Sequence, residues 1–157
     1  MVAVYPGSFD PFTLGHKDIA ERALKMCSSL YIAVSDNINK KHLFTKEERV
    51  EMIKDVFKND EKVIVESFDG LLVDYMVKKN ASYIIRGLRA VADFEYEFQI
   101  AYANRSINNN IETVFMVPDS KYLFVSSTIV RDIARNKGNI EKLVPNNIYN
   151  KILEKYK

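Results

Sequence analysis

Three short stretches of this chain carry side chains able to hold phosphate, and each follows an apolar run. The first is Pro6-Gly7-Ser8-Phe9-Asp10-Pro11-Phe12-Thr13-Leu14-Gly15-His16, between Val2–Tyr5 and a helical pattern. A strand that turns through Pro and Gly and then starts a helix presents unpaired N–H groups and the positive end of a helix dipole. Gly15 lets backbone approach a ligand closely, and His16 adds a donor in the first helical turn. The second stretch is Arg86-Gly87-Leu88-Arg89, where two guanidiniums flank a glycine and stay charged at any working pH. The third is Val125-Ser126-Ser127-Thr128, three hydroxyls at a helix start. Lys40 and Lys41 follow another apolar run and offer a mobile cation. Together these point to nucleotide chemistry.

Other chemistries lack their parts. Five glycines, at 7, 15, 70, 87 and 138, form neither a dinucleotide fingerprint nor a P-loop. His16, His42 and Cys27 are too scattered in sequence for a zinc site. Asp10, between Phe9 and Pro11, is expected to order its turn rather than to act as a base. His42 is expected in a solvated loop, and Cys27 as a partly buried spectator.

These stretches need a scaffold that delivers them to one place. Apolar runs at Val2–Tyr5, Leu30–Val34, Val63–Glu66, Tyr83–Ile85 and Thr113–Val117 read as parallel strands covered on both faces. Helical patterns alternate with them. Thr13 caps one reaching about Cys27, with Ile19, Ala20, Ala23 and Leu24 inward. Thr45-Lys46-Glu47-Glu48 is a capping box opening another. Further helices are expected over Leu71–Lys79, Ser127–Asn136 and Asn146–Lys155. The expected fold is a single Rossmann-like, doubly wound α/β domain over residues 1–157 with a five-stranded parallel sheet, ligands lying beyond the carboxyl ends of the strands.

From Ala92 to about Asn110 the pattern differs. Phe94, Phe98, Ala101 and Tyr102 form one apolar stripe, and Tyr96, Ile100, Ala103 and Ile107 another on roughly the opposite side. One of the two is expected to pack on another subunit.

The chain has 157 residues, enough for one well-buried domain. Its net charge of +2, from 23 basic and 21 acidic residues, gives no broad field to recruit nucleic acid or a membrane. A single cysteine, no apolar run of spanning length and no leader pattern suggest a cytoplasmic protein.

Gly7-Ser8-Phe9-Asp10-Pro11 with Gly15-His16 resembles the signature of the nucleotidyltransferase superfamily. Ile85-Arg86-Gly87-Leu88-Arg89-Ala90-Val91-Ala92-Asp93-Phe94-Glu95-Tyr96-Glu97 resembles the bacterial phosphopantetheine adenylyltransferases in particular. The likeness runs along essentially the whole chain. It implies transfer of AMP from ATP to 4'-phosphopantetheine with magnesium, giving 3'-dephospho-coenzyme A and pyrophosphate, in a homohexamer. By matching position it implies that Ser8 and Phe9 contact nucleotide and that Ser8 also contacts the acceptor phosphate. It assigns His16 to the transition state, and Lys40, Leu72 and Arg86 to phosphopantetheine. Gly87, Leu88, Arg89, Glu97, Tyr122, Leu123, Phe124, Val125, Ser126, Ser127 and Thr128 fall at the ATP site. Ser8 and Thr128 stand where other members carry the alternative hydroxyl, which preserves donor chemistry.

In such a reaction the nucleophile is an anionic phosphate oxygen, so no general base is needed and catalysis rests on positioning and charge neutralisation. His16 would then donate to the α-phosphate and Lys40 bridge the two reactants. Arg89 and the Ser126–Thr128 helix start would hold pyrophosphate. The alternatives are another small nucleotidyltransferase, such as one acting on nicotinate mononucleotide, and a nucleotide-binding module without turnover.

Overall fold

Five strands, β1 (Val2–Gly7), β2 (Ser29–Val34), β3 (Val63–Ser67), β4 (Tyr83–Gly87) and β5 (Glu112–Met116), form one parallel sheet in the order β3-β2-β1-β4-β5. This computed structural model describes residues 1–36 and 41–157, with Ala92 described by its backbone alone. The helices are α1 (Leu14–Ala23), α2 (Lys46–Val56), α3 (Leu72–Lys78), α4 (Val91–Ile107), α5 (Ser127–Arg135) and α6 (Asn146–Lys155). A single 3-10 turn, Ser120–Tyr122, precedes α5.

The chain winds outward from β1 through β2 to β3, then returns to the other side of β1 to lay down β4 and β5. That reversal opens a crevice between β1 and β4, beyond their carboxyl ends, where doubly wound sheets bind ligands. Alternate β1 side chains feed two cores. Ala3 and Tyr5 face Ile19 and Ala20 of α1, Met52 and Ile53 of α2, Val130 of α5 and Ile148 of α6. Val4 faces Val73 and Met76 of α3 on the opposite side. Both faces of the inner strands are therefore apolar, as parallel strands require.

Local signals set most boundaries. The Thr45 hydroxyl accepts from the Glu48 N–H while Glu48 returns to the Thr45 N–H, starting α2. α1 stops four residues short of Cys27. The chain tightens there to i→i+3 bonds, Lys25 N–H to Arg22 and Met26 N–H to Ala23, and the Cys27 thiol donates to the Ala23 carbonyl. Cys27 is buried.

α4 is the least covered element. Phe98 is 54% exposed and Tyr102 72% on one stripe, with Tyr96 65% and Ile107 56% on the other. Asn104, a polar residue, is its buried side chain. The helix is thus not wedged inside its own chain. Among the described residues, no helix is long and apolar enough to cross a membrane.

Candidate active site

A cleft of about 320 Å³ opens at the β1–β4 reversal. Ser8, Phe9 and His16 line it from the first stretch, Arg86, Gly87 and Arg89 from the second, and Tyr122 with Val125 to Thr128 from the third. Residues separated by more than a hundred positions therefore share one wall. Arg86 ties the first two together, donating through Nη1 to the Pro6 carbonyl at 3.1 Å.

His16 is held by an unusual capping box, in which the imidazole takes the part commonly played by glutamate. The Thr13 hydroxyl accepts from the His16 N–H at 3.3 Å, and His16 Nδ1 accepts from the Thr13 N–H at 3.0 Å. A backbone N–H can only donate, so Nδ1 carries no proton and the neutral ring carries its hydrogen on Nε2. Phe9 meets the imidazole edge-on with ring centres 5.2 Å apart, and Phe12 lies 5.4 Å away. Burial, together with Arg89 and Arg86, holds the imidazole pKa down to about 3. At neutral pH His16 is therefore an uncharged Nε2–H donor on the cleft wall.

This depression has a consequence for stability. Between pH 6.5 and about 3 the unfolded chain binds a proton that the native imidazole refuses. His16 thus makes stability decline as pH falls through that window, by at most about 1.4 kcal/mol per pH unit. Urea midpoints at pH 7 and pH 5 check this: the difference should shrink in His16→Gln, and an unchanged difference would refute it.

The helix start of α1 is less open than the bare sequence suggests. The Leu14 N–H donates to the Leu143 carbonyl at 2.9 Å and the His16 N–H is capped by Thr13. Gly15 lines the cleft. The hydroxyls after Val125 also divide their work. Ser126 caps α5 by accepting from Ile129 N–H at 3.1 Å, keeping its own proton for a ligand. Ser127 donates to the Pro11 carbonyl at 2.8 Å, so its proton is spent on holding two segments together. The expectation of three hydroxyls wrapping a polyphosphate reduces to Ser126 and Thr128.

Arg86 is not an unpaired fork. It lies within β4, and its Nε and Nη2 meet both carboxylate oxygens of Glu97 at 2.6 and 2.5 Å. Burial disfavours its charge, but the Glu97 pair outweighs this and raises its pKa. Behind this pair lies a second cavity of about 120 Å³, lined by Leu72, Arg86, Tyr96, Glu97, Ile100 and Asn104 among others. Leu72 belongs to this cavity and not to the main cleft. Leu88, Leu123 and Phe124 do not line the main cleft; the Leu88 N–H extends the β4–β5 pairing by donating to Met116. Lys40 lies outside the described residues, and Lys41 lines the cleft.

Two residues were undervalued by reading the sequence. Arg131 reaches the cleft and donates to the Asp10 carbonyl, and its Nη2 lies 3.4 Å from Thr128 Oγ1. Its spacing of three from Thr128 on a helix was the available signal. His42, expected in solvent, is instead tucked between Asp10 and Asp36, with nitrogen–oxygen separations of 3.5 and 3.6 Å. The fold around Asp10 pulls it in, because Asp10 accepts from the next two backbone N–H groups, of Leu43 and Phe44. Asp10 was expected to order its own turn; its carboxylate instead anchors the distant Leu43–Phe44 segment.

Known proteins resemble this chain along most of its length. Residues 4–133 match the cytidylyltransferase-like family. The phosphopantetheine adenylyltransferase of Maridesulfovibrio salexigens is 47% identical over 155 residues, 99% of this chain and 93% of that protein. That of Syntrophus aciditrophicus is 48% identical, covering 99% and 94%. This chain belongs to the phosphopantetheine adenylyltransferase family. The likeness to the family thus extends well beyond the cleft. The phosphopantetheine adenylyltransferase of Solidesulfovibrio magneticus, at 46% identity, covers 99% of this chain and 90% of its own. The fold is shared more widely. A candidate nicotinate-nucleotide adenylyltransferase from Vibrio parahaemolyticus superposes with a TM-score of 0.72 at 17% identity, over 99% of this chain and 96% of that one.

Proposed function

We infer that this protein transfers AMP from ATP to 4'-phosphopantetheine, yielding 3'-dephospho-coenzyme A and pyrophosphate. The observation that carries this reading is the junction of two cavities at Arg86, one lined by phosphate-binding groups and the other by Leu72, Tyr96 and Ile100. An acceptor with a phosphate at one end and a long, partly apolar arm matches that pairing. A nucleotide acceptor would leave the second cavity unused.

The acceptor phosphate oxygen attacks the α-phosphorus of ATP, the new P–O bond forms, and the bond to the β-phosphate oxygen breaks. The attacking oxygen is already anionic, so no side chain needs to remove a proton. His16 Nε2–H offers a hydrogen bond to the α-phosphate as charge shifts there. Arg89, with the Ser126 and Thr128 hydroxyls, faces the departing pyrophosphate. Lys40 is assigned to bridge the reactants by its match to the family. Among the described residues no three His, Cys, Asp or Glu side chains converge on one point. Magnesium would then enter as cargo of the triphosphate that Arg89 and the Ser126 and Thr128 hydroxyls would hold. Bound in that way the ion supplies charge neutralisation.

The exposed stripes of α4 suit self-association, for which we propose a homohexamer, and coenzyme A assembly suits a cytoplasmic setting. A pyrophosphate-release assay across acceptors tests the activity: 4'-phosphopantetheine should be preferred, and preference for nicotinate mononucleotide would overturn the reading. In the same assay Arg86→Ala should weaken phosphopantetheine more than ATP. Titration calorimetry of both ligands checks that prediction, and a larger loss for ATP refutes it.

A further inference from the structure

Arg49 is 1% exposed, the largest fully buried side chain among the described residues, and sits outside the cleft lining. Every hydrogen-bonding nitrogen of its guanidinium is engaged. Nε donates to the Phe44 and Thr45 carbonyls at 3.2 and 3.1 Å, and Nη2 to the Asp36 carboxylate. Nη1 donates to the Ser8 carbonyl at 2.7 Å and the Ser35 carbonyl at 3.3 Å. Ser8 and Ser35 directly follow β1 and β2, and the Ser35 N–H reaches back to Gly7 at 3.1 Å. One buried cation thus braces two strand ends against the start of α2.

The Ser8–Phe9 peptide is the part of this brace that faces chemistry. It is not among the cis bonds, so its C=O and N–H point in opposite directions. Arg49 draws the carbonyl into the protein, which sends the Phe9 N–H the other way, toward the cleft that Ser8 and Phe9 line. Phe9 has φ of 49°, the left-handed region that side chains other than glycine occupy at a cost of about 1–3 kcal/mol. Such a turn persists only where its surroundings over-determine it. Packing of the Phe9 ring against Tyr5, Phe12 and His16 supplies one constraint, and the Arg49–Ser8 bond supplies another.

We propose that Arg49 is a positioning residue for AMP transfer, which aims the Phe9 N–H into the cleft as a phosphate donor by holding the Ser8 carbonyl. This rests on the activity proposed above. Lysine at 49 keeps the charge but has a single nitrogen, so it cannot span Ser8, Ser35, Phe44 and Asp36 together.

The test uses the full chain and its Arg49→Lys variant. With phenylalanine amides labelled with nitrogen-15, inorganic pyrophosphate should shift the Phe9 resonance of the native protein and shift it far less in the folded variant. Turnover of the variant should fall about 10- to 100-fold, with KM for 4'-phosphopantetheine within about threefold of native. Native turnover on a folded variant, or a Phe9 amide in the native protein that ignores pyrophosphate, overturns the proposal. The second measurement needs no variant, and if Arg49→Lys fails to fold, the same comparison of Phe9 shifts and turnover is made with Arg49→Gln, where an undiminished shift or native turnover overturns the proposal. Absence of pyrophosphate release by the native protein would instead sink the activity assignment, and the amide shift would still read the role of Arg49.

Discussion

Replacing His16 by alanine lowers turnover by about 10²- to 10³-fold and leaves ATP affinity within a few-fold of native. The size follows from removing one preorganised donor at the atoms where charge develops. The selectivity for turnover follows from the protonation state. An imidazole with a pKa near 3 is neutral in the ground state and contributes no cationic attraction for the triphosphate. In the proposed reaction its Nε2–H acts when the α-phosphate changes geometry. His16→Gln should retain more activity than alanine, because a side-chain amide can still donate from near the Nε2 position. Recovery is partial, because the flexible amide is held less rigidly than the ring that Thr13 and the neighbouring aromatics fix. Rapid-quench measurement of AMP transfer checks both variants. An alanine variant with near-normal turnover, or with ATP binding lost in proportion, would remove His16 from the reaction.

Asp10→Ala should destabilise the protein by about 3–5 kcal/mol. Asp10 is 3% exposed, and its two oxygens accept from Leu43 N–H at 2.7 Å and Phe44 N–H at 3.0 Å. Arg131 Nη1 lies 3.8 Å away and His42 Nδ1 3.5 Å. Alanine leaves two buried N–H groups without an acceptor and a guanidinium without its counter-charge. The segment carrying Lys41 to the cleft then loses its anchor, so activity falls with stability. Urea unfolding at neutral pH measures the loss. A shift below about 1 kcal/mol would mean that water replaces the carboxylate and that Asp10 is not the anchor.

The elements, and the three stretches that line the cleft, were legible in the sequence because their signals are local. Runs of β-branched residues, the Thr13 and Thr45 caps and the apolar faces of α1 and α2 depend on neighbours within a few positions. The strand starts and helix starts fall accordingly within a residue or two of expectation, and α6 spans Asn146–Lys155 as read. The two apolar stripes of α4 were readable, but one of them was expected to be covered within the domain and both are exposed.

Side-chain commitments were not legible, because each is made by a partner far along the chain. Nothing near Arg86 in sequence says that Glu97 takes both edges of its fork, or near Ser127 that Pro11 takes its proton. His42 read as solvated because one carboxylate beside it, Asp10, comes from the distant β1–α1 loop, and only the fold brings that loop to the β2–α2 connection holding His42 and Asp36. Arg49 looked like one more charge on a helix, yet it is the buried brace of the strand ends.

By itself, then, the amino-acid order determined which local structures form and which residue types can meet phosphate, since both follow from interactions within a turn or a strand. Only the tertiary structure decided that β4 returns beside β1. That strand order sets His16 and Arg89 on one wall, and it selects which donors keep a proton for the ligand. The physical reason is that hydrogen-bonding capacity is finite: a group bound to a distant carbonyl or carboxylate is no longer available, and distance in space is settled by packing rather than by position in the chain.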